Sequence, residues 1–196
     1  MKSQALTLLL LCLCSTFSIA QNEKLSETAA AIFVNFNGNL SNSEKNTISE
    51  LSGFNYDANS KTFSRITYQD EANERFNLVA YPMDLTRDGH IEIGIVYKPL
   101  PGSGKKGAAS LLFVKNQRGF YQMDIDVAGE LHFHNMGGTV FPDVLVKNDQ
   151  YELPIYRWNG NAYLPHKLAT RGKLKKYNLT SLVQASNRYL LTLVGE

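Results

Sequence analysis

The feature that most constrains this chain is a change of hydrophobic period near Lys61. Before it, apolar residues recur at helical spacing; after it, they alternate at every second position. In the stretch EKLSETAAAIFVNF, Leu25, Ala29, Ile32, Phe33 and Phe36 fit one helical face, and Gly38 is placed to end the helix. Ser41-x-x-Glu44 is a capping box that opens a second short helix, with Ile48 and Leu51 turned inward and Gly53 closing it. From Lys61 the segments KTFSRITY and ERFNLVAY are strand-like, and HIEIGIVYK puts Ile91, Ile93, Ile95 and Tyr97 on one face. SLLFVK and FYQMDIDV follow, joined at residues 116–119. The second of these predicts Tyr121, Met123, Ile125 and Val127 on one side, with Gln122, Asp124 and Asp126 on the other. VFPDVLV and YRWNGNAY come next, and Asn159-Gly160 is a two-residue hairpin signal. At the C-terminus Leu179, Leu182, Val183, Ser186 and Leu190 fit a helix capped by Asn178, whereas YLLTLV alone would make a strand; the helix is favoured. Strands joined by hairpins with helices segregated to the ends indicate an α+β fold: N-terminal helices, a mainly antiparallel β-sheet, and a C-terminal helix.

Residues 1–20 read as an export signal. Lys2 precedes an apolar run too short to span a bilayer, and Ser18-Ile19-Ala20 places small residues before a cut at Gln21. The alternative is a lipoprotein acylated at Cys12 or Cys14, although Leu9-Leu10-Leu11 lacks the small residues such a site wants. Both cysteines lie in this segment, so residues 21–196, expected to form a single domain, have no disulfide and no thiolate site. Export without disulfides suits a bacterial periplasm or cell surface. No later stretch is apolar enough to span a membrane.

A formal net charge of +2 argues against a protein that coats nucleic acid. The charge is unevenly placed. Residues 21–152 carry twelve basic and seventeen acidic side chains, net −5, and residues 153–196 carry seven and one, net +6. Lys167, Arg171, Lys173, Lys175 and Lys176 form a basic cluster that can meet an acidic partner, anionic lipid or cell-wall polymer, or be simply solvated. The Gly- and Lys-rich loop over residues 98–110 fails the spacing of a phosphate loop and reads as a surface loop.

The best motif is DLTRDGHIEI, residues 84–93. It sets Asp84, Thr86 and Asp88 at loop positions 1, 3 and 5, Gly89 at 6, His90 at 7 and Glu92 at 9. Calcium wants six to eight oxygen ligands, and alternate residues of a tight loop can turn oxygens inward, with a carbonyl at His90 and Glu92 closing the shell. The pattern resembles the calcium loop of FG-GAP and VCBS repeats, which runs directly into a strand, as IEIGIVYK does here. Thr86 departs from the Asp or Asn usual at its position. An eroded second copy is similar over residues 141–146 and 156–160, and its upstream loop, residues 134–139, lacks the carboxylates. The resemblance implies one structural calcium and a blade or two within another fold. The competing reading is a plain turn in which Asp84 and Asp88 cap backbone amides.

Other constellations are less specific. His132-x-His134 has metal-ligand spacing, but nothing ties His90 or His166 to it as a third ligand. Asp124 and Asp126, read as sharing a strand face roughly 7 Å apart, are a candidate acid–base pair. Tyr156, Trp158 and Tyr163 can stack on a sugar or pack across strands. Three functions follow as expectations: a non-enzymatic exported protein that binds a protein or envelope polymer; an inhibitor or immunity-type protein that blocks an enzyme through the 98–110 loop or the basic segment; and a hydrolase or other enzyme using Asp124, Asp126 or the pair His132 and His134.

Overall fold

The computed structural model describes residues 23–65, 74–103, 107–136, 138 and 140–195. The expected signal segment, the end of KTFSRITY and the middle of the 98–110 loop lie outside the described residues. Among the described residues two short helices come first, α1 (Glu27–Ile32) and α2 (Asn42–Ser52). Ten strands follow: β1 (Phe54–Asp57), β2 (Thr62–Arg65), β3 (Phe76–Met83), β4 (Glu92–Pro99), β5 (Ala109–Lys115), β6 (Tyr121–Ala128), β7 (Glu130–His134), β8 (Asp143–Lys147), β9 (Glu152–Trp158) and β10 (Tyr163–Thr170). A 3-10 helix (Arg171–Lys176), strand β11 (Leu179–Ser181) and helix α3 (Leu182–Val194) complete the chain.

Local chemistry sets the helix ends. The Glu44 amide donates to Ser41 Oγ at 3.2 Å and the Ser41 amide donates back to Glu44 Oε2 at 2.8 Å, so the capping box forms in full. Ile48 is buried as expected, but Leu51 is 40% exposed, because the buried face runs through Ser49 and Ser52 instead. α1 stops at Ile32, well short of Gly38, where the chain turns and the Phe33 ring meets Phe36 edge-on at 5.2 Å. At the C-terminus Leu179 belongs to a strand. α3 is capped by Ser181, with a Ser181–Gln184 capping box, and not by Asn178.

Instead of one sheet, the strands form two antiparallel sheets, ordered β1-β2-β3-β4-β5-β6 and β10-β9-β8-β7-β11. β6 runs into β7 through Gly129 alone. Its φ of +136° and a Cβ position only 2.8 Å from the Lys147 carbonyl oxygen admit no side chain, so this corner is where the chain leaves one sheet for the other. A first core, between the six-stranded sheet and α1 and α2, holds Ile48, Phe54, Phe76, Ile93, Ile95 and Phe113. A second, between the two sheets and α3, holds Met83, Leu85, Leu112, Phe133, Val144 and Leu182. β4 and β5 therefore bury both faces, which explains the unbroken apolar run SLLFVK.

The reading of β6 as a simple alternating strand is corrected by a bulge. Leu112 pairs with Ile125 but Phe113 pairs with Met123, leaving Asp124 as the extra residue. Tyr121 and Met123 accordingly pack in the first core, and Ile125 and Val127 in the second. The Asn159-Gly160 turn is a four-residue loop rather than a two-residue one: Trp158 pairs with Tyr163, and Asn159 Oδ1 accepts from the amides of Asn161 and Ala162.

Candidate functional site

The loop over residues 84–91 joins β3 to β4. Its carboxylates turn on backbone amides: Asp84 Oδ1 accepts from Arg87 N at 2.6 Å, Asp84 Oδ2 from Gly89 N at 3.1 Å, and Asp88 Oδ1 from His90 N at 2.9 Å. These bonds hold Arg87 at φ +60° and Gly89 at φ +80°. His90 is exposed, its Nδ1 3.4 Å from Asp88 Oδ2. Thr86 and Glu92 behave differently. Glu92, on the second-core face of β4, is 1% exposed, and its Oε2 accepts from the Leu85 amide at 2.7 Å. Burial, reinforced by the charges of Asp84 and Asp88, pushes its carboxyl up to about 8. Among the described residues no cation of the chain pairs with it. Thr86 is 5% exposed and its Oγ1 is buried without a hydrogen-bond partner.

The donors of this loop are hard oxygens, the class calcium takes, and an orphaned hydroxyl and a buried carboxyl without a cationic partner sit among them. As placed, the carboxylates do not converge: among the described residues no three His, Cys, Asp or Glu side chains form a metal-holding group. The backbone-capping turn is thus the arrangement on display, with Asp84 and Asp88 occupied by amides and Glu92 beneath them.

Two cavities flank the loop. One, of about 420 Å³, is lined by Asp84, Arg87, Met136, Arg188, Tyr189 and Thr192. The other, of about 400 Å³, lies between His90, the β5–β6 turn and the aromatic pair Phe141–Trp158, whose centroids are 4.4 Å apart. Trp158 and Tyr163 do not form an open stacking surface. Both pack in the second core, and Tyr163 is buried with its hydroxyl donating to the Pro142 carbonyl. A third cavity, of about 500 Å³, lies where α3 leaves the outer β3–β4 pair Val79–Val96 uncovered.

The remaining candidates are dispersed. Asp126 forms a two-point ion pair with Arg65, at 2.7 and 3.1 Å, on the first-core side. Asp124 accepts from the Tyr163 amide and from Gln122, and burial raises its carboxyl above the ordinary range. The bulge thus points the two carboxylates to opposite sides of β6. His132 and His134 share the outer face of β7 but are half-buried rather than open to solvent. Burial lowers the His132 imidazole, and His134 meets the Tyr177 ring at 5.1 Å. The basic segment straps that same sheet: Leu174 and Tyr177 pack on Leu145, Leu153, Ile155 and Ala169, while Lys173, Lys175 and Lys176 face outward. Arg171 is tied down by the carbonyls of Asn148 and Gln150.

Sequence reasoning missed the cavity residues Arg188, Tyr189 and Met136. They come to the loop only through the docking of α3 and the β7–β8 connection, and no local pattern marks them. Compared with models of protein families, with curated proteins and with solved structures, the chain gives no match. The loop joins the third and fourth strands of a six-stranded sheet, and nothing in that sheet identifies an FG-GAP repeat.

Proposed function

We propose that the chain is an exported bacterial binding protein of the periplasm or cell surface, non-enzymatic, engaging a protein or envelope polymer with the end of the molecule that carries the 84–91 loop. In this reading the loop takes one calcium through Asp84, Asp88 and Glu92, with Thr86 and the His90 carbonyl as further oxygen donors. The observation that supports it is Glu92: a buried carboxyl with no cationic partner among the described residues, under a loop flanked by two cavities. The ion would displace the proton of Glu92 and fix the loop against which a partner docks; it would do no chemistry.

Thermal unfolding tests the ion. Calcium at ~100 times its dissociation constant stabilises by about 2.7 kcal/mol, a rise of roughly 5–10 °C over excess chelator for a domain of this size. Asp88→Asn should abolish that rise. No rise at any calcium concentration would reduce the loop to the amide-capped turn.

A further inference from the structure

The cavity between the 84–91 loop and α3 carries an excess of cations. Arg87 and Arg188 both line it, both are exposed, and neither forms an ion pair with another described residue. Among the described residues one carboxylate lines it, Asp84, whose two oxygens already accept from the Arg87 and Gly89 amides. Tyr189 adds a phenol that donates no hydrogen bond to a described residue, and Met136 an apolar wall. The Thr192 hydroxyl is turned away, donating to the Tyr189 carbonyl at 2.6 Å. Arg87 is itself held in the left-handed region, at φ +60°, by its 2.6 Å bond to Asp84. That conformation costs a non-glycine residue free energy, and it fixes the backbone from which the guanidinium projects. Arg188 is anchored from the other side, its Nη1 3.4 Å from Thr180 Oγ1.

We propose that this cavity is an oxyanion-binding site, in which the guanidiniums of Arg87 and Arg188 take the phosphate or carboxylate group of a small ligand while Met136 and Tyr189 contact its remainder. The planar donor forks of two arginines suit such a group, and the phenol of Tyr189 supplies a further donor. At about 420 Å³ the cavity has the size of a small-molecule site. The inference goes beyond the binding-protein reading by assigning a small-molecule site at the same end of the molecule, and it does not depend on calcium.

Calorimetric titration tests it, run in chelator so that a failed calcium reading leaves the result intact. Inorganic phosphate and succinate are the two probes, at ionic strength held constant with chloride. Saturable binding of either is expected, weakened about tenfold by Arg87→Gln and by Arg188→Gln. Tighter phosphate binding assigns the site to phosphate esters, and tighter succinate binding to carboxylates. Both arginines are exposed, so the variants should unfold in urea as the wild type does. Binding that is absent for both probes, that chloride alone reproduces, or that both variants retain in full would overturn the proposal.

Discussion

Replacing Glu92 with glutamine tests how the loop is seated on the fold. The wild-type carboxyl is raised to about 8 from an ordinary 4.5, because the folded protein holds it dry and beside Asp84 and Asp88. An acid whose folded pKa is raised contributes its full stability below the unfolded pKa, and loses it as pH rises through the folded one. At ~1.4 kcal/mol per pH unit, the wild type should lose roughly 3 kcal/mol between pH 4.5 and 7, and between 4 and 5 kcal/mol by pH 9. Glutamine keeps the shape and the acceptor for the Leu85 amide but does not titrate. The difference in stability between variant and wild type should therefore be near zero at pH 4, about 1 kcal/mol at pH 5 and roughly 3 kcal/mol in the variant's favour at pH 7. Titrating groups that do not interact with Glu92 cancel in that difference. Urea unfolding in chelator, followed by the fluorescence of the single tryptophan, Trp158, measures it, since Trp158 packs in the second core beside this site. Parallel curves from pH 5 to 9 would refute the burial of Glu92 under the loop. A calcium ion in the loop would reverse the sign, because it stabilises the carboxylate form of the wild type and has less to hold in the variant.

Two further substitutions probe the frame that carries the loop. A Cβ on Gly94 would collide with Leu182 Cδ1 and lie 2.9 Å from its Cγ and 3.1 Å from Met83, so Gly94→Ala should displace the buried Leu182 side chain, loosen the seat of α3 and cost about 1–3 kcal/mol in urea unfolding. Should Gly94→Ala match the wild type, α3 does not dock on β4 at that point. Asp126→Ala leaves the Arg65 guanidinium, 7% exposed, without its carboxylate. Asp126 is itself 37% exposed and Arg65 keeps its bonds to Ser52 and Tyr97, so a loss of about 2 kcal/mol is expected, below the 3–5 of a fully buried pair. A pair that is merely a surface contact would instead show less than ~0.5 kcal/mol on the same measurement.

What the sequence made legible was whatever local rules decide. The Ser41–Glu44 capping box, the placement of Ile91, Ile93 and Ile95 on one face and the succession of hairpins follow from residue spacing alone. What it hid was set by tertiary packing. The bulge at Asp124 leaves the alternation of FYQMDIDV intact on paper while turning the second half of the strand over. It is forced because β6 must serve the first core at Tyr121 and Met123 and the second at Ile125 and Val127. The basic segment likewise reads as a charged patch, because the residues that matter to the fold, Leu174 and Tyr177, are outnumbered by the lysines around them.

The two-faced burial of β4 joins these observations to the site. Were the strand covered on one side only, as an alternating pattern suggests, Glu92 would sit on the wet face and its carboxylate would be an ordinary surface charge. The second sheet and α3 close that face, and Gly94 permits the closure by letting Leu182 approach the strand. The same docking delivers Arg188 and Tyr189 to the rim of the 84–91 loop. One packing event thus buries the acid at the end of the motif and assembles the cationic cavity beside it. A variant that loosens α3, such as Gly94→Ala, should on this reasoning lower the raised carboxyl of Glu92 and weaken oxyanion binding together, whereas Arg188→Gln should weaken the binding and leave the Glu92 pH profile unchanged. Loss of one without the other in Gly94→Ala would show that loop and cavity are built independently.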